Sequence, residues 1–154
     1  MRAWVFLLLV MTTGTAAATS LSQEERCLAQ NIYFEARGES AFGQLAVGLV
    51  TMNRVFSGSF PDTVCQVVWQ RRQFSWTHDG KSDRPVDKDA WDKAVKIARH
   101  VYNNYETIRD KNLDYTKGAM YYYAPDLADP YWARVKEQTL KVGGHVFLRG
   151  KDNS

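Results

Sequence analysis

Cys27-Leu28-Ala29-Gln30-Asn31-Ile32-Tyr33-Phe34-Glu35-Ala36-Arg37-Gly38-Glu39 carries apolar side chains at helical spacing up to a carboxylate and a glycine. Just upstream, Ser22-Gln23-Glu24-Glu25 is a capping box, with Ser at the N-cap and Glu three residues on. It opens a helix expected to run to about Arg37 and to close at Gly38. Leu28, Ile32 and Glu35 fall at i, i+4 and i+7, so they share one face. A carboxylate therefore ends an apolar stripe. Partial loss of water raises the pKa of such a group toward the range of a general acid. The plainer alternative is a helix-terminal Glu paired with Arg37 or Arg54.

Downstream, Ser40 caps a second helix over residues 41–56. Apolar side chains lie nearly all round it, from Leu45 to Phe56, which marks a buried central helix. Gln44, Asn53 and Arg54 are its polar exceptions. Buried polar groups need partners, so these three are expected to meet Glu35, Glu39 or a cleft lining. A short helix is expected from Thr63 to Trp69. Gln73-Phe74-Ser75-Trp76 alternates and ends at Asp79-Gly80, which reads as part of a small hairpin. Asp87 opens a long helix carrying Trp91, Ala94, Val95, Ala98, Val101, Tyr102 and Tyr105 at helical spacing. Residues 106–117 read as loop and 119–123 as a strand. Asp129-Pro130 opens a short helix through Trp132 and Val135. Gly143-Gly144 turns into a terminal strand at His145-Val146-Phe147-Leu148. The fold class expected is α+β, mainly α, in one domain over residues 22–150.

The chain has 154 residues, enough for a single core. Its net charge of +3 suits an acidic polymer and is far too small to indicate nucleic acid. The largest cationic cluster is the pair Arg71-Arg72. Five Trp and eight Tyr are many for this length. They fit either core packing or a carbohydrate site, where flat rings stack on sugar faces.

Met1-Arg2, the apolar run from Ala3 to Met11 and Ala16-Ala17-Ala18 together read as a secretory signal peptide over residues 1–18. The alternative is a retained membrane anchor, because residues 3–23 carry no charge. Both place the domain outside the cytoplasm, in the periplasm or beyond the cell. In that compartment Cys27 and Cys65 are expected to form a disulfide. A Cys nucleophile is the rival reading, and neither Cys sits in a recognisable protease setting. His78, His100 and His145 are not at metal-ligand spacing, so no metal and no cofactor are expected.

The stretch from Cys27 to Glu39 resembles the signature of the SleB/CwlJ-type cell-wall hydrolases, the spore-cortex-lytic family. So do Gly43-Gln44, Ala46-Val47, Asn53-Arg54-Val55 and Phe60-Pro61-Asp62-Thr63-Val64-Cys65. Gln73-Phe74-Ser75, Asp79-Gly80, Gly118-Ala119, Tyr122, Pro130, Trp132 and Gly143-Gly144-His145-Val146-Phe147 follow in the family's order. The resemblance implies a lysozyme-like domain that cuts peptidoglycan between N-acetylmuramic acid and N-acetylglucosamine, with Glu35 as acid/base. It implies a lytic transglycosylase, with peptidoglycan as the partner of a monomeric protein. The membrane enters only through the N-terminal segment.

The matched blocks supply Gln44, Asn53, Gln73, Phe74, Ser75, Asp79, Tyr122, Trp132 and His145 as substrate-binding candidates. They supply Cys27, Cys65, Arg37, Glu39 and Arg54 as structural ones. Many relatives carry Cys on both sides of Gln-Phe-Ser, where this chain has Arg72 and His78. Where relatives often have His-Tyr-His, this chain has Tyr121-Tyr122-Tyr123. Alternatives are a muramidase using Asp79 as second carboxylate, an amidase acting on stem peptides, a non-catalytic wall-binding protein, and a phage endolysin with a retained anchor.

Overall fold

The computed structural model describes residues 20–151, so the signal-peptide or anchor segment over residues 1–18 lies outside the described residues. Four α-helices come first: α1 Gln23–Ala36, α2 Ala41–Phe56, α3 Val64–Val68 and α4 Lys88–Asp110. Three short strands follow, β1 Tyr121–Tyr123, β2 Glu137–Val142 and β3 His145–Arg149. Helix α1 packs against α2, α3 and α4, and the strands form one antiparallel sheet in the order β1-β3-β2. This is the mainly helical α+β class read from the sequence.

The capping box forms: the Glu25 amide donates to Ser22 Oγ at 3.2 Å and the Ser22 amide donates to Glu25 Oε2 at 2.8 Å. Leu28 and Ile32 on α1, Val47, Leu49 and Val50 on α2, Val101 on α4 and Phe147 on β3 are almost completely buried. Gly48 permits that packing, because a Cβ there would lie 3.2 Å from Ile32 Cδ1 and 3.3 Å from Val101 Cγ2. The start of α4 is tied to α1 by Tyr33, whose hydroxyl oxygen accepts from the Val86 and Asp87 amides at 3.2 and 3.1 Å. Cys27 and Cys65 are joined in a disulfide that links α1 to α3.

Asn53 holds α2, α4 and the approach to β1 together. Its Nδ2 donates to Asp114 Oδ2 at 3.0 Å, Thr116 Oγ1 at 3.3 Å and the Ala119 carbonyl at 2.9 Å. Its Oδ1 accepts from the Tyr105 hydroxyl at 2.6 Å. Burial, with Asp114 second, pushes that phenol up to about 12, so it remains a donor. Asn53→Ala takes a hydrogen-bond partner from the Tyr105 hydroxyl and the Ala119 carbonyl, and one of several from Thr116 and half-buried Asp114, and is expected to cost about 3 kcal/mol, read from a urea unfolding midpoint.

Three expectations need correction. Residues 73–76 are no hairpin strand: they pass from a turn into a 3-10 helix at Ser75–His78. The alternation still marked buried side chains, since Phe74 and Trp76 are 3% and 7% exposed. Trp76 stacks on Phe34 at 4.7 Å and donates from Nε1 to Asn31 Oδ1 at 3.1 Å, contacts that need no strand neighbour. The β-hairpin is instead β2–β3, turning at Gly143-Gly144. Strand β2 escaped notice because it is a largely exposed edge strand whose register shifts between Gln138 and Leu140, which breaks the period of two. Helix α4 continues to Asp110 through a stretch read as loop, because Ile108 still packs on the core while its polar neighbours face water. The short helix after Pro130 is a 3-10 helix at Tyr131–Val135.

Candidate active site

Glu35 sits in the last turn of α1, half-buried, beside a groove of about 300 Å³. Arg54 from α2, Gln73, Phe74 and Ser75 from the turn before the 3-10 helix, and Tyr122 from β1 line it with Glu35. The Tyr122 hydroxyl donates to Glu35 Oε2 at 3.0 Å. Burial raises the Glu35 pKa above its ordinary 4.5, opposed by the Tyr122 hydrogen bond and by the positive charge of Arg54. Burial, with the neighbouring Glu35 second, also holds the Tyr122 phenol well above its ordinary 10.0. Tyr122 is therefore held in its protonated, hydrogen-bond-donating form.

Arg54 is 5% exposed. Its Nε donates to the Met120 carbonyl at 2.7 Å and its Nη1 to Gln73 Oε1 at 3.0 Å. Its guanidinium lies over the rings of Phe60, Phe74 and Tyr121, 5.0, 5.3 and 5.8 Å from their centroids. It fixes the groove wall as well as supplying charge. Glu35 forms no ion pair among the described residues, and Arg37 instead lies over the Tyr33 ring at 5.1 Å.

A second cavity of about 330 Å³ shares Arg54, Arg72, Gln73 and Tyr122 with the first and extends to Tyr121, Trp132 and Lys136. The two form one elongated groove. Trp132 is 39% exposed there and packs on Tyr121 and Tyr123 at 5.9 and 6.0 Å, a ring available for stacking on a sugar. Among the described residues Glu35 is the single carboxylate lining either cavity. A roomier cavity of about 500 Å³ lies among Glu24, Phe56, Asp62 and Tyr102, without Glu35.

The structure brings Glu35, Arg54, Gln73, Phe74, Ser75, Tyr122 and Trp132 to this groove. Other substrate-binding candidates fall elsewhere. Gln44 is 1% exposed and donates to the Glu39 carbonyl at 3.0 Å, so it lies in the interior. Asn53 is the buried hub described above. Asp79 accepts from the Lys81 amide at 2.9 Å, shaping an exposed turn outside the groove lining. His145 stands behind the groove: its Nδ1 is 3.4 Å from Glu39 Oε1, and its ring meets Tyr122 edge-on at 5.6 Å. Glu39 also accepts from the Gly144 amide at 3.2 Å. A Cβ at Gly143 (φ +55°) would collide with the same carboxylate, so glycine lets the hairpin turn dock on the α1–α2 junction.

Arg72, His78, Tyr121 and Lys136 line the groove and were not read as site residues from the sequence. The signal for Arg72 was present in the Arg71-Arg72 pair and in its place beside Gln-Phe-Ser. Among the described residues no three His, Cys, Asp or Glu side chains gather as metal ligands.

The family model described as Cell Wall Hydrolase matches residues 38–148. The chain belongs to the cell wall hydrolase family. It is 34% identical to the spore cortex-lytic enzyme of Bacillus cereus over 137 residues, 88% of this chain and 48% of that protein. It is 33% identical to that of Bacillus subtilis over 128 residues, 79% of this chain and 36% of that one. The chain thus spans less than half the length of these curated relatives. The catalytic domain of the germination-specific lytic transglycosylase SleB from Bacillus anthracis superimposes with a TM-score of 0.67 at 34% identity, over 83% of this chain and 96% of that one. The catalytic domain of Bacillus cereus SleB gives 0.61 at 32%, over 84% and 93%. This cell wall hydrolase therefore has the fold of the SleB catalytic domain.

Proposed function

We propose that this cell wall hydrolase is an exported lytic transglycosylase that cleaves peptidoglycan strands between N-acetylmuramic acid and N-acetylglucosamine. The observation that carries the reading is a lone groove carboxylate, Glu35, biased toward its protonated form by burial. The relatives' lytic activity on spore cortex supports it, as does the likeness to a lytic transglycosylase domain. Export rests on the N-terminal sequence. Among the described residues no helix is long and apolar enough to cross a membrane.

Protonated Glu35 gives its proton to the glycosidic oxygen leaving with N-acetylglucosamine. The C1–O bond breaks, and Tyr122 holds the new carboxylate through its hydroxyl. The carboxylate then takes the proton of the muramic C6 hydroxyl as that oxygen bonds to C1. Glu35 is protonated again and no water is consumed. A two-carboxylate hydrolase needs a second acid across the cleft. Asp79, the one candidate for it, lies outside the groove lining. Mass spectrometry of digested sacculi tests the route: fragments ending in 1,6-anhydromuramic acid, one water lighter than reducing ends, are expected. Reducing ends alone would replace the transglycosylase by a muramidase, and freed amino groups without new sugar ends by an amidase.

Tyr122→Phe tests the support of Glu35. The lost hydrogen bond stabilised the charged form, so the Glu35 pKa rises further. Activity needs the proton, so the alkaline limb of the pH–rate profile is expected to move to higher pH. The maximum is expected to fall by about tenfold to a hundredfold, the worth of a hydrogen bond to a charged group.

A further inference from the structure

The groove continues past Glu35 into a basic, aromatic-walled end. Arg54, Arg72 and Lys136 line it with Tyr121 and Trp132, and among the described residues no acidic side chain does. Among the described residues neither Arg72 nor Lys136 is paired with a carboxylate, whereas nearby Arg134 and Arg149 are matched by Asp129 and Glu137. Lys136 Nζ rests 3.7 Å from the centroid of the Tyr121 ring, a cation–π contact between two residues that line the cavity. Arg72 sits at φ +63°, a left-handed conformation uncommon for a residue with a side chain, and its side chain lines both cavities. Arg54 is held by Met120 and Gln73. Two cations without a carboxylate partner, one of them over an aromatic ring, beside a third that is fixed, suit one planar anion.

We propose that Arg72 and Lys136, backed by Arg54, form a subsite that reads a carboxylate on the muramic acid side arm of the glycan. The substrate class is thereby narrowed to acid-bearing strands, an inference that rests on the glycan-cleaving reading. Two sources share this chemistry: the lactyl carboxylate of a peptide-free strand, and a carboxylate of an attached stem peptide. Because the cations are near the surface, the selectivity weakens as salt is added.

The test is calorimetric titration of soluble muramic-containing tetrasaccharides into Glu35→Gln protein, which holds them uncleaved. Four fragments are compared: peptide-free and peptide-bearing, each with free carboxylates or with the same groups converted to methylamides. One acid fragment is expected to bind about tenfold more tightly than its own methylamide, a hydrogen-bonded charge pair being worth at least that much. The peptide-free pair showing the preference assigns the lactyl group, and the peptide-bearing pair assigns the stem. Adding Arg72→Gln and Lys136→Gln is expected to bring the ratio near one, and Arg72→Lys to keep part of it. Reading a ratio within each variant separates recognition from general weakening of the fold. Equal binding of acid and methylamide forms in both pairs overturns the subsite, whatever the enzyme cleaves. Wild-type protein that prefers the acid fragment yet releases nothing from sacculi overturns the catalytic reading and supports the subsite.

Discussion

Glu35→Gln protein is expected to lose wall lysis by about a thousandfold or more, while its melting temperature at neutral pH does not fall. The loss follows from the two proton transfers assigned to one side chain, since general acid–base catalysis alone is worth about 10²–10⁴-fold. Gln keeps the shape and can still accept from Tyr122, but it carries no proton to give. The stability half follows from the sign of the shift. The folded pKa of Glu35 lies above the unfolded value because burial disfavours the charge. The native state therefore holds this proton more tightly than the unfolded chain does. Stability from this group declines as pH rises between the two values, and above the folded pKa a constant penalty for the buried charge remains. Gln carries no such penalty. A turbidity assay with sacculi and a thermal melt read the two halves separately. Retained lysis would remove Glu35 from the mechanism, and a lower melting temperature would mean that the charged carboxylate is held by partners rather than desolvated.

Replacing Cys27 and Cys65 together by Ala is expected to give the largest loss of stability. The bond closes a loop with a sequence separation of 38 between its ends. On the loop-entropy model that constrains the unfolded chain by about 4 kcal/mol. For a domain of this size the melting temperature is expected to drop by roughly 10–15 °C. Native contacts at the junction survive: the Cys65 amide still donates to Glu24 Oε2 at 3.2 Å, and α1 still packs on α3. Below the new midpoint, activity is expected to persist, because Glu35 lies two turns of α1 beyond the bond. Calorimetry of wild type with and without a reductant checks the first statement, and wall lysis below the new midpoint checks the second. An unchanged midpoint would mean that the reduced, unfolded chain already keeps these ends together.

The helical frame was legible because its signals are local. Ser22 and Glu25 announce α1, the apolar run from Leu45 to Phe56 announces α2, and the repeat from Trp91 to Tyr105 announces α4. Glu35 was legible for the same reason, as the polar end of an apolar stripe. The sheet was read in part: β1 and β3 carry buried side chains, and edge strand β2 carries few. Distant partnerships were out of reach. Asn53 and Gln44 looked like cleft residues because a polar group in a buried helix must find partners, and the rule does not say which. Asn53 finds Asp114 and Tyr105 far along the chain. Lys136 carries no motif, and only the fold brings it to the same cavity as Arg72.

Carbon-13 titration of the Glu35 side-chain carboxyl, with Glu35→Gln assigning its resonance, tests the proton on which the mechanism turns. The midpoint is expected above the ordinary 4.5, coinciding with the alkaline limb of wall lysis. A midpoint at or below that value would leave position 35 ionised throughout the working range, with no proton for the departing sugar.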